Sequence, residues 1–343
     1  MTDKPEEKSI NPWIVSPAFD LCFVINVWWI VLSLPFFAMT SGESPLSFWQ
    51  IYFLTTPHRW MTLFLVASDP DRRAGRGGLF FALAVIFALI VCGTHSITGA
   101  FLCLALVDYI WNAWHFASQH GGILRIYSRK GGGGRPNLER RIMRLFITYV
   151  PLRLAGWTTG WTEAYPVIET VLPFLDVALV ALPLVLLAME LANRPWERIG
   201  KVLYLSSVTL MYGALLLAVS NEWRRWMIVL TPANAAFHAV EYMAIVTFYA
   251  QRRESRGSEG LFQAAAQNWL LVLVSFIAVA GIVAGLADSM KGVHPVLNIS
   301  VEQIWVGANL WAAFLHYAYD GMIWKLRKPE TAKHLESSCL SDG

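Results

Sequence analysis

Residues Asp108–His120 read DYIWNAWHFASQH, and this stretch places one acid and two histidines in a long apolar run. An ionisable side chain near the centre of a membrane raises the free energy of insertion by roughly 2.5 to 3.5 kcal/mol. Such a side chain is therefore expected to face a partner, a water-filled cavity or a metal ion. The stretch predicts a membrane-spanning helix that carries part of a functional site.

The composition of the whole chain agrees with a membrane setting. Of its 343 residues, 56% are hydrophobic and 15% are charged, and the mean hydropathy is +0.46. An average soluble domain has roughly 25% charged residues. The net charge of +3 is small and the basic residues lie in short clusters, so we expect no nucleic-acid partner. The four cysteines have no paired spacing, which argues against disulfides and against a thiolate zinc site.

Apolar runs of about 20 residues predict an all-α, polytopic integral membrane bundle of about ten transmembrane helices, or eight to nine if the weakest runs merge or are lost. Basic clusters follow mainly the even-numbered spans, which predicts that both termini are cytoplasmic. We expect the membrane to be a bacterial inner membrane. The predicted spans are residues 19–40, 48–68, 79–95, 98–120, 143–160, 166–192, 201–220, 227–250, 266–288 and 303–325.

The same pattern predicts the domain organisation. We expect a cytoplasmic N-terminal tail at 1–18, a single transmembrane domain at 19–325 and a cytoplasmic C-terminal tail at 326–343. A basic loop at 121–142, rich in glycine, is expected to be the largest cytoplasmic connection.

Four even-numbered spans each carry one histidine at a similar depth. The first basic residue after each histidine comes 14, 10, 14 and 9 residues later. At about 1.5 Å per helical residue, the histidines lie in one layer about 14 to 21 Å from the cytoplasmic ends. One histidine per helix at matched depth predicts a shared metal site with four ligands, His58, His115, His238 and His316.

Carboxylates accompany these histidines at helical spacing. Glu241 follows His238 by three residues, Asp320 follows His316 by four, and Asp108 lies two turns before His115. We expect these three acids to be catalytic groups, acting as additional ligands, as groups that orient a ligand, or as proton carriers. His120, at the predicted end of its span, is equally consistent with a ligand and with an interfacial residue.

Imidazole and carboxylate ligands without thiolate favour iron, zinc, copper or manganese. Non-haem iron is the expected cofactor, because a site within lipid is reached most easily by an apolar molecule and oxidation of unactivated carbon commonly uses iron and dioxygen. The expected partners are therefore an apolar lipid-like substrate, dioxygen, the membrane lipids and an electron donor of unknown identity. Zinc hydrolysis of a lipid ester or amide is the next candidate.

Two further classes compete with a metalloenzyme. A haem could lie between axial histidines from different helices. A proton-coupled transporter could use the same acids and histidines as a relay. Arg59 lies beside His58 and must be neutralised, and Asp108, Asp176 and Asp320 are the candidates, so part of the cluster would be a salt-bridge network.

Three short motifs around the histidines resemble the Brp/Blh family of membrane β-carotene dioxygenases. They are Pro57-His58, His115-Phe116, and His316 with Asp320 followed by Arg327-Lys328-Pro329. The resemblance implies histidine-bound iron and an apolar substrate, with cleavage of β-carotene to retinal as one outcome. The chain departs from the family pattern where Glu241, rather than a second histidine, follows His238. It departs again at Asp320, which is one residue closer to His316 than in that pattern.

Overall fold

The fold is built from α-helices. The computed structural model describes residues 11–39, 48–73, 75–156, 160, 164–254, 261–289 and 300–324. Within these residues the regular structure is helical and no strand is present. The prediction of an all-α protein is therefore confirmed.

Ten helices of twelve or more residues dominate the described part of the chain, and each overlaps one of the ten predicted spans. A short turn of helix and a π-helical segment, Pro17–Phe19 and Asp20–Val24, precede the first of them. In chain order they are α1 (Trp28–Met39), α2 (Phe48–Ser68), α3 (Gly77–Thr98), α4 (Leu102–Lys130), α5 (Pro136–Leu154), α6 (Val167–Leu191), α7 (Ile199–Ser220), α8 (Arg224–Glu254), α9 (Trp269–Ser289) and α10 (Val301–Ile323).

Three to five of the described helices are long and apolar enough to cross a membrane. The three are α3, α6 and the continuous segment Pro195–Ser220 that contains α7. Two bent pairs bring the number to five: Pro17–Val24 with Trp28–Pro35, bent by 42°, and Leu261–Gln267 with Trp269–Val283, bent by 93°. The sequence predicted about ten membrane spans, which is more than these three to five helices. The helices of the predicted site hold histidine, carboxylate, arginine and asparagine side chains, which lower their hydropathy.

Helix α4 is longer than the sequence predicted. It continues to Lys130, and α5 begins at Pro136, so most of the loop expected at 121–142 is helical. The extension is stabilised by burial, because Leu124 and Tyr127 are both at most 1% exposed. Proline suits the first turn of a helix, where its missing N–H has no helical partner, and this favours the start of α5 at Pro136.

The described part of the chain divides into two compact units. The first unit contains the described residues of Met1–Val31 and Phe116–Trp223, and the second contains those of Leu32–His115 and Arg224–His334. In the first unit α7 packs against α5 and α6. Apolar composition predicts which segments are buried but not which of them pack together, so the division could not be read from the chain.

Helix α2 organises the second unit, since it packs against α8, α9 and α10. The core at these contacts is apolar and includes Met61, Leu65, Val246 and Leu315, each at most 1% exposed. These residues lie within about two helical turns of the predicted ligands of the same helices, so the packing that builds the core also brings the polar side chains together.

Helix α10 is fixed at its start and along its length. Ser300 and Gln303 form a reciprocal cap, in which Ser300 Oγ accepts from the Gln303 N–H at 3.1 Å. Further along, Trp311 Nε1 donates to the carbonyl of Ala84 at 2.9 Å, and Tyr319 Oη donates to that of Phe80 at 2.7 Å. These bonds join α10 to α3 and fix the height of the residues between them.

Candidate metal centre

The four predicted histidine ligands are all buried in the second unit. His58 lies on α2, His115 on α4, His238 on α8 and His316 on α10. Their exposed fractions are 2%, 7%, 0% and 0%, respectively. Burial of four imidazole rings is unfavourable unless their nitrogens have hydrogen-bond partners or a metal ion, because each ring loses its hydrogen bonds to water.

The four rings lie against one another. His316 is central, with its ring centroid 4.8 Å from that of His58 and 4.5 Å from that of His115. The ring of His238 lies 5.1 Å from both His58 and His115. The structure therefore brings together four side chains that are as much as 258 residues apart in the sequence.

Within the second unit, two overlapping groups of side chains have the spacing of a metal site. The potential ligand atoms of His58, His238 and His316 all lie within 4.8 Å of one another. Those of His115, His316 and Asp320 meet the same limit. Two nitrogens bound to one ion at about 2.0 to 2.1 Å lie no more than about 4.2 Å apart, so small ring rotations would complete either set. His316 belongs to both groups.

The hydroxyl group of Thr62 contacts the ring of His316. Thr62 Oγ1 lies 2.6 Å from Nδ1 of His316 and 2.5 Å from the hydroxyl of Tyr242. Tyr242 Oη in turn donates to Oδ1 of Asp320 at 3.1 Å. Nδ1 is thus occupied by a hydrogen bond, whereas Nε2 of His316 is buried and has no hydrogen-bond partner within the described residues. Nε2 is therefore the nitrogen that can bind a metal.

Asp320 lies beside two of the histidines. Its Oδ2 is 3.8 Å from both Nε2 of His115 and Nδ1 of His316. These distances are longer than a hydrogen bond. A carboxylate at this distance in a buried site still favours a positive charge nearby. The charge could be on a protonated ring or on a bound cation.

The predicted neutralisation of Arg59 is met by Asp108. Arg59 Nη2 lies 3.9 Å from Oδ2 of Asp108 and donates to the Tyr317 hydroxyl at 3.2 Å. Tyr317 donates to Oδ1 of Asp108 at 2.8 Å and lies 3.1 Å from Oδ1 of Asn112. The ring of Tyr317 also contacts that of His115, with centroids 4.9 Å apart, so this ion pair adjoins the histidine cluster.

The other candidates for Arg59 have different partners. Asp176 lies in the first unit, where it accepts hydrogen bonds from Tyr149 and, at 2.6 Å, from Ser220 Oγ, and pairs with Arg153 at 3.5 Å. Asp320 faces Tyr242 and the histidines. Asp108 on α4 is therefore an acid that compensates the charge of Arg59.

Two of the remaining predicted residues are also buried. Glu241 is fully enclosed on α8, three residues after His238. His120 is 1% exposed and lies inside α4 rather than at its end, with Nδ1 2.9 Å from the hydroxyl of Tyr204 in the first unit. The interfacial alternative for His120 assumed a helix that stops there, and α4 continues for ten more residues.

Thr62 and Tyr242 were not predicted from the sequence. A signal for them exists, because Thr62 follows His58 by four residues and Tyr242 follows His238 by four, the spacing that also relates Asp320 to His316. An uncharged hydroxyl one turn after a histidine is common in helices, so its meaning emerged only from the contacts.

Comparison of the chain with protein-family models, with curated protein sequences and with solved structures found no match.

Proposed function

We propose that this protein is a membrane-embedded metalloenzyme that binds non-haem iron at its histidine cluster and uses dioxygen to oxidise or cleave an apolar lipid or isoprenoid. The observation that carries the proposal is the grouping of His58, His238 and His316, which come from three helices, are at most 2% exposed and have potential ligand atoms within 4.8 Å. A protein that only spans a membrane has no need for three buried imidazoles at one point.

The proposal also concerns the membrane. Beyond the three to five helices that are apolar enough to span it, we propose about ten spans in a bacterial inner membrane, with both termini cytoplasmic. Large apolar side chains exposed along α3 and α6 support a lipid-facing surface. Phe81 and Leu89 on α3 are 72% and 67% exposed, and Phe174 and Val177 on α6 are 74% and 71% exposed. Exposed apolar area of this kind is unfavourable in water and is expected against lipid.

The ligand set is compatible with non-haem iron. Neutral imidazoles with a neighbouring carboxylate and no thiolate suit iron, and zinc is the next candidate. A haem is less favoured, because two axial histidines must leave a porphyrin between them, whereas the rings of His58 and His316 are 4.8 Å apart with their planes at 79°. The resemblance to the Brp/Blh dioxygenases points in the same direction and makes a carotenoid one candidate substrate.

Iron in such a site would supply the binding and activation of dioxygen. The protein side chains would do the rest. His58, His238 and His316 would hold the ion, while Asp320 and Tyr242 orient His316 through Thr62. Glu241 and Asp108 are the further acids proposed for proton transfer or for ligand support, and Asp108 also neutralises Arg59. An apolar chain would reach the cluster from the surrounding lipid.

The direct test is elemental analysis of the parent protein and of the His238→Ala and His95→Ala variants, all purified in mild detergent. His95 lies on α3 of the same unit, away from the cluster, and is a matched control. We expect near-stoichiometric iron in the parent and in His95→Ala, and loss of iron in His238→Ala. An optical spectrum with a strong Soret band, or active protein without bound metal, would refute the proposal.

The substrate class is tested separately with the iron-loaded protein. Oxygen uptake and product analysis with β-carotene, a non-carotenoid isoprenoid and a saturated lipid would rank the candidates. We expect turnover to require dioxygen and to be lost in His238→Ala while His95→Ala remains active. Metal-dependent hydrolysis of a lipid ester without oxygen uptake would instead assign the zinc-type reaction.

A proton-coupled transporter is the second candidate, and the buried pair of Arg59 and Asp108 beside the histidines favours it, because such pairs also occur along proton paths. The two functions differ in their need for metal. Proton uptake by metal-free protein in liposomes, dependent on Asp108 and on an added solute, would support transport and contradict the enzyme.

A further inference from the structure

A chain of hydroxyl groups connects Asp320 to His316. Oδ2 of Asp320 is 3.8 Å from Nδ1 of His316, which is too long for a hydrogen bond. The short contacts instead pass through two other side chains, from Asp320 Oδ1 to Tyr242 Oη, from Tyr242 Oη to Thr62 Oγ1, and from Thr62 Oγ1 to His316 Nδ1, at 3.1, 2.5 and 2.6 Å.

The number of protons in this chain fixes its direction. An ionised carboxylate can only accept, so the single hydroxyl proton of Tyr242 points to Asp320. The 2.5 Å contact between Tyr242 and Thr62 then requires Thr62 to donate its only proton, which the longer 3.3 Å contact of the same hydroxyl with the His58 carbonyl can at most share. Thr62 must therefore accept from His316, and Nδ1 of His316 must carry the proton.

We infer that Thr62 and Tyr242 are positioning residues. Their hydroxyl groups link the acceptor carboxylate of Asp320 to the ring of His316 and hold that ring as the Nδ1–H tautomer. Nε2 then carries the lone pair in a buried position without another hydrogen-bond partner among the described residues. The role toward a metal rests on the proposed function. Metal-binding histidines commonly donate their second N–H to a carboxylate, and here the carboxylate acts through two hydroxyls.

The packing of the same residues supports a positioning role. The ring of Tyr242 lies 5.1 Å from that of His316 and 5.6 Å from that of His58, at steep angles to both. Thr62 has its hydroxyl within 3.3 Å of the His58 carbonyl on its own helix. Both residues are buried, so the chain is shielded from water that could replace its hydrogen bonds.

Metal affinity tests the inference by substitution. Apo protein is titrated with Fe²⁺ and with Zn²⁺ in competition with a chelator, for the parent, Tyr242→Phe, Thr62→Val, Thr62→Ser and Tyr319→Phe. Tyr319→Phe is the matched control, because it also loses a buried hydroxyl bond of α10, to the Phe80 carbonyl, but does not touch the cluster.

We expect the affinity of Tyr242→Phe and Thr62→Val to fall by about 10- to 100-fold, as is typical for outer partners of a ligating histidine. Thr62→Ser keeps the hydroxyl and should remain near the parent, as should Tyr319→Phe. Equal losses in Tyr242→Phe and Tyr319→Phe, with a parent that binds metal, would overturn the inference and leave the proposed function intact.

The tautomer of His316 in the parent protein gives a second readout that needs no metal. Nitrogen-15 NMR of labelled parent protein, with His316→Gln to assign the signal, reports which ring nitrogen carries the proton. The Nδ1–H form supports the inference, and the Nε2–H form overturns it. If the parent binds no metal, the proposed function fails while this measurement still decides the hydrogen-bond chain.

Discussion

The imidazoles of His58 and His316 lie with their centroids 4.8 Å apart and their planes at 79°, although α2 and α10 are separated by most of the chain. Edge-to-face rings at this distance can turn their nitrogens toward a common point. His238 joins them from α8, whereas His115 is grouped with His316 and Asp320 instead. The four histidines should therefore not contribute equally to metal binding.

Alanine substitution of each histidine tests this ranking. We expect His58→Ala, His238→Ala and His316→Ala to lose nearly all bound metal, because each removes one of three ligands. If His115 acts beside the site through Asp320, His115→Ala should weaken binding by no more than about 10- to 100-fold. Metal-to-protein ratios after dialysis measure the effect, and His95→Ala is the control. Retention of metal in His238→Ala would contradict the ranking.

The pair of Arg59 and Asp108 predicts a specific pattern of stability. Asp108→Leu removes a compensating charge from the buried guanidinium of Arg59, and such a loss destabilises a protein by up to about 3 to 5 kcal/mol. Since the Asp108 side chain is 18% exposed, we expect the lower end of this range. The double variant Arg59→Met, Asp108→Leu should recover most of the stability.

Thermal unfolding in detergent measures both Arg59 and Asp108 variants. A double variant as unstable as Asp108→Leu alone would show that the charges do not compensate each other.

A buried ion network in the first unit predicts a large effect at Lys201. Its Nζ lies 2.9 Å from Glu139 Oε1 and 2.7 Å from Glu190 Oε1, and Lys201 is 1% exposed. Lys201→Met leaves two buried carboxylates with less compensation, so we expect a loss of about 3 to 5 kcal/mol.

The exposed pair of Arg194 and Glu197 is the natural comparison for Lys201. Arg194→Ala removes a contact of 3.3 Å between side chains that are 74% and 46% exposed, and the loss should be about 0 to 1 kcal/mol. Unfolding of both variants under the same conditions separates the cases. Equal stabilities would show that the network around Lys201 contributes little.

The glycine run after α4 predicts different tolerance at two positions. Gly134 has φ of +126°, and a Cβ there would lie 2.6 Å from Glu139 Oε1 and 2.8 Å from Lys201 Nζ. Gly132 has φ of +63° with nothing within 4 Å of an added Cβ. Gly132→Ala should be destabilised by about 1 kcal/mol from its backbone conformation, and Gly134→Ala by clearly more.

Unfolding midpoints of the two alanine variants measure this difference. Equal midpoints would mean that the loop moves away from Lys201 without loss, and that the close packing at Gly134 does not stabilise the first unit.

Much of the fold and part of the candidate site could be predicted from local sequence. Apolar runs located the ten long helices of the described residues, because burial of apolar side chains and the 3.6-residue period act over neighbouring residues. The histidines were predicted to share one site from their matched positions in separate helices, and the structure brings their rings together. Local spacing also related Asp320 to His316, which lie on one face of α10.

The tertiary structure alone decided which groups meet. It placed Asp108 beside Arg59, placed Thr62 and Tyr242 between Asp320 and His316, and divided the chain into two units. These outcomes depend on how closely α2, α4, α8 and α10 approach one another. Helix spacing is set by side chains distant in sequence, whereas the pattern along one helix specifies only the face that each residue occupies.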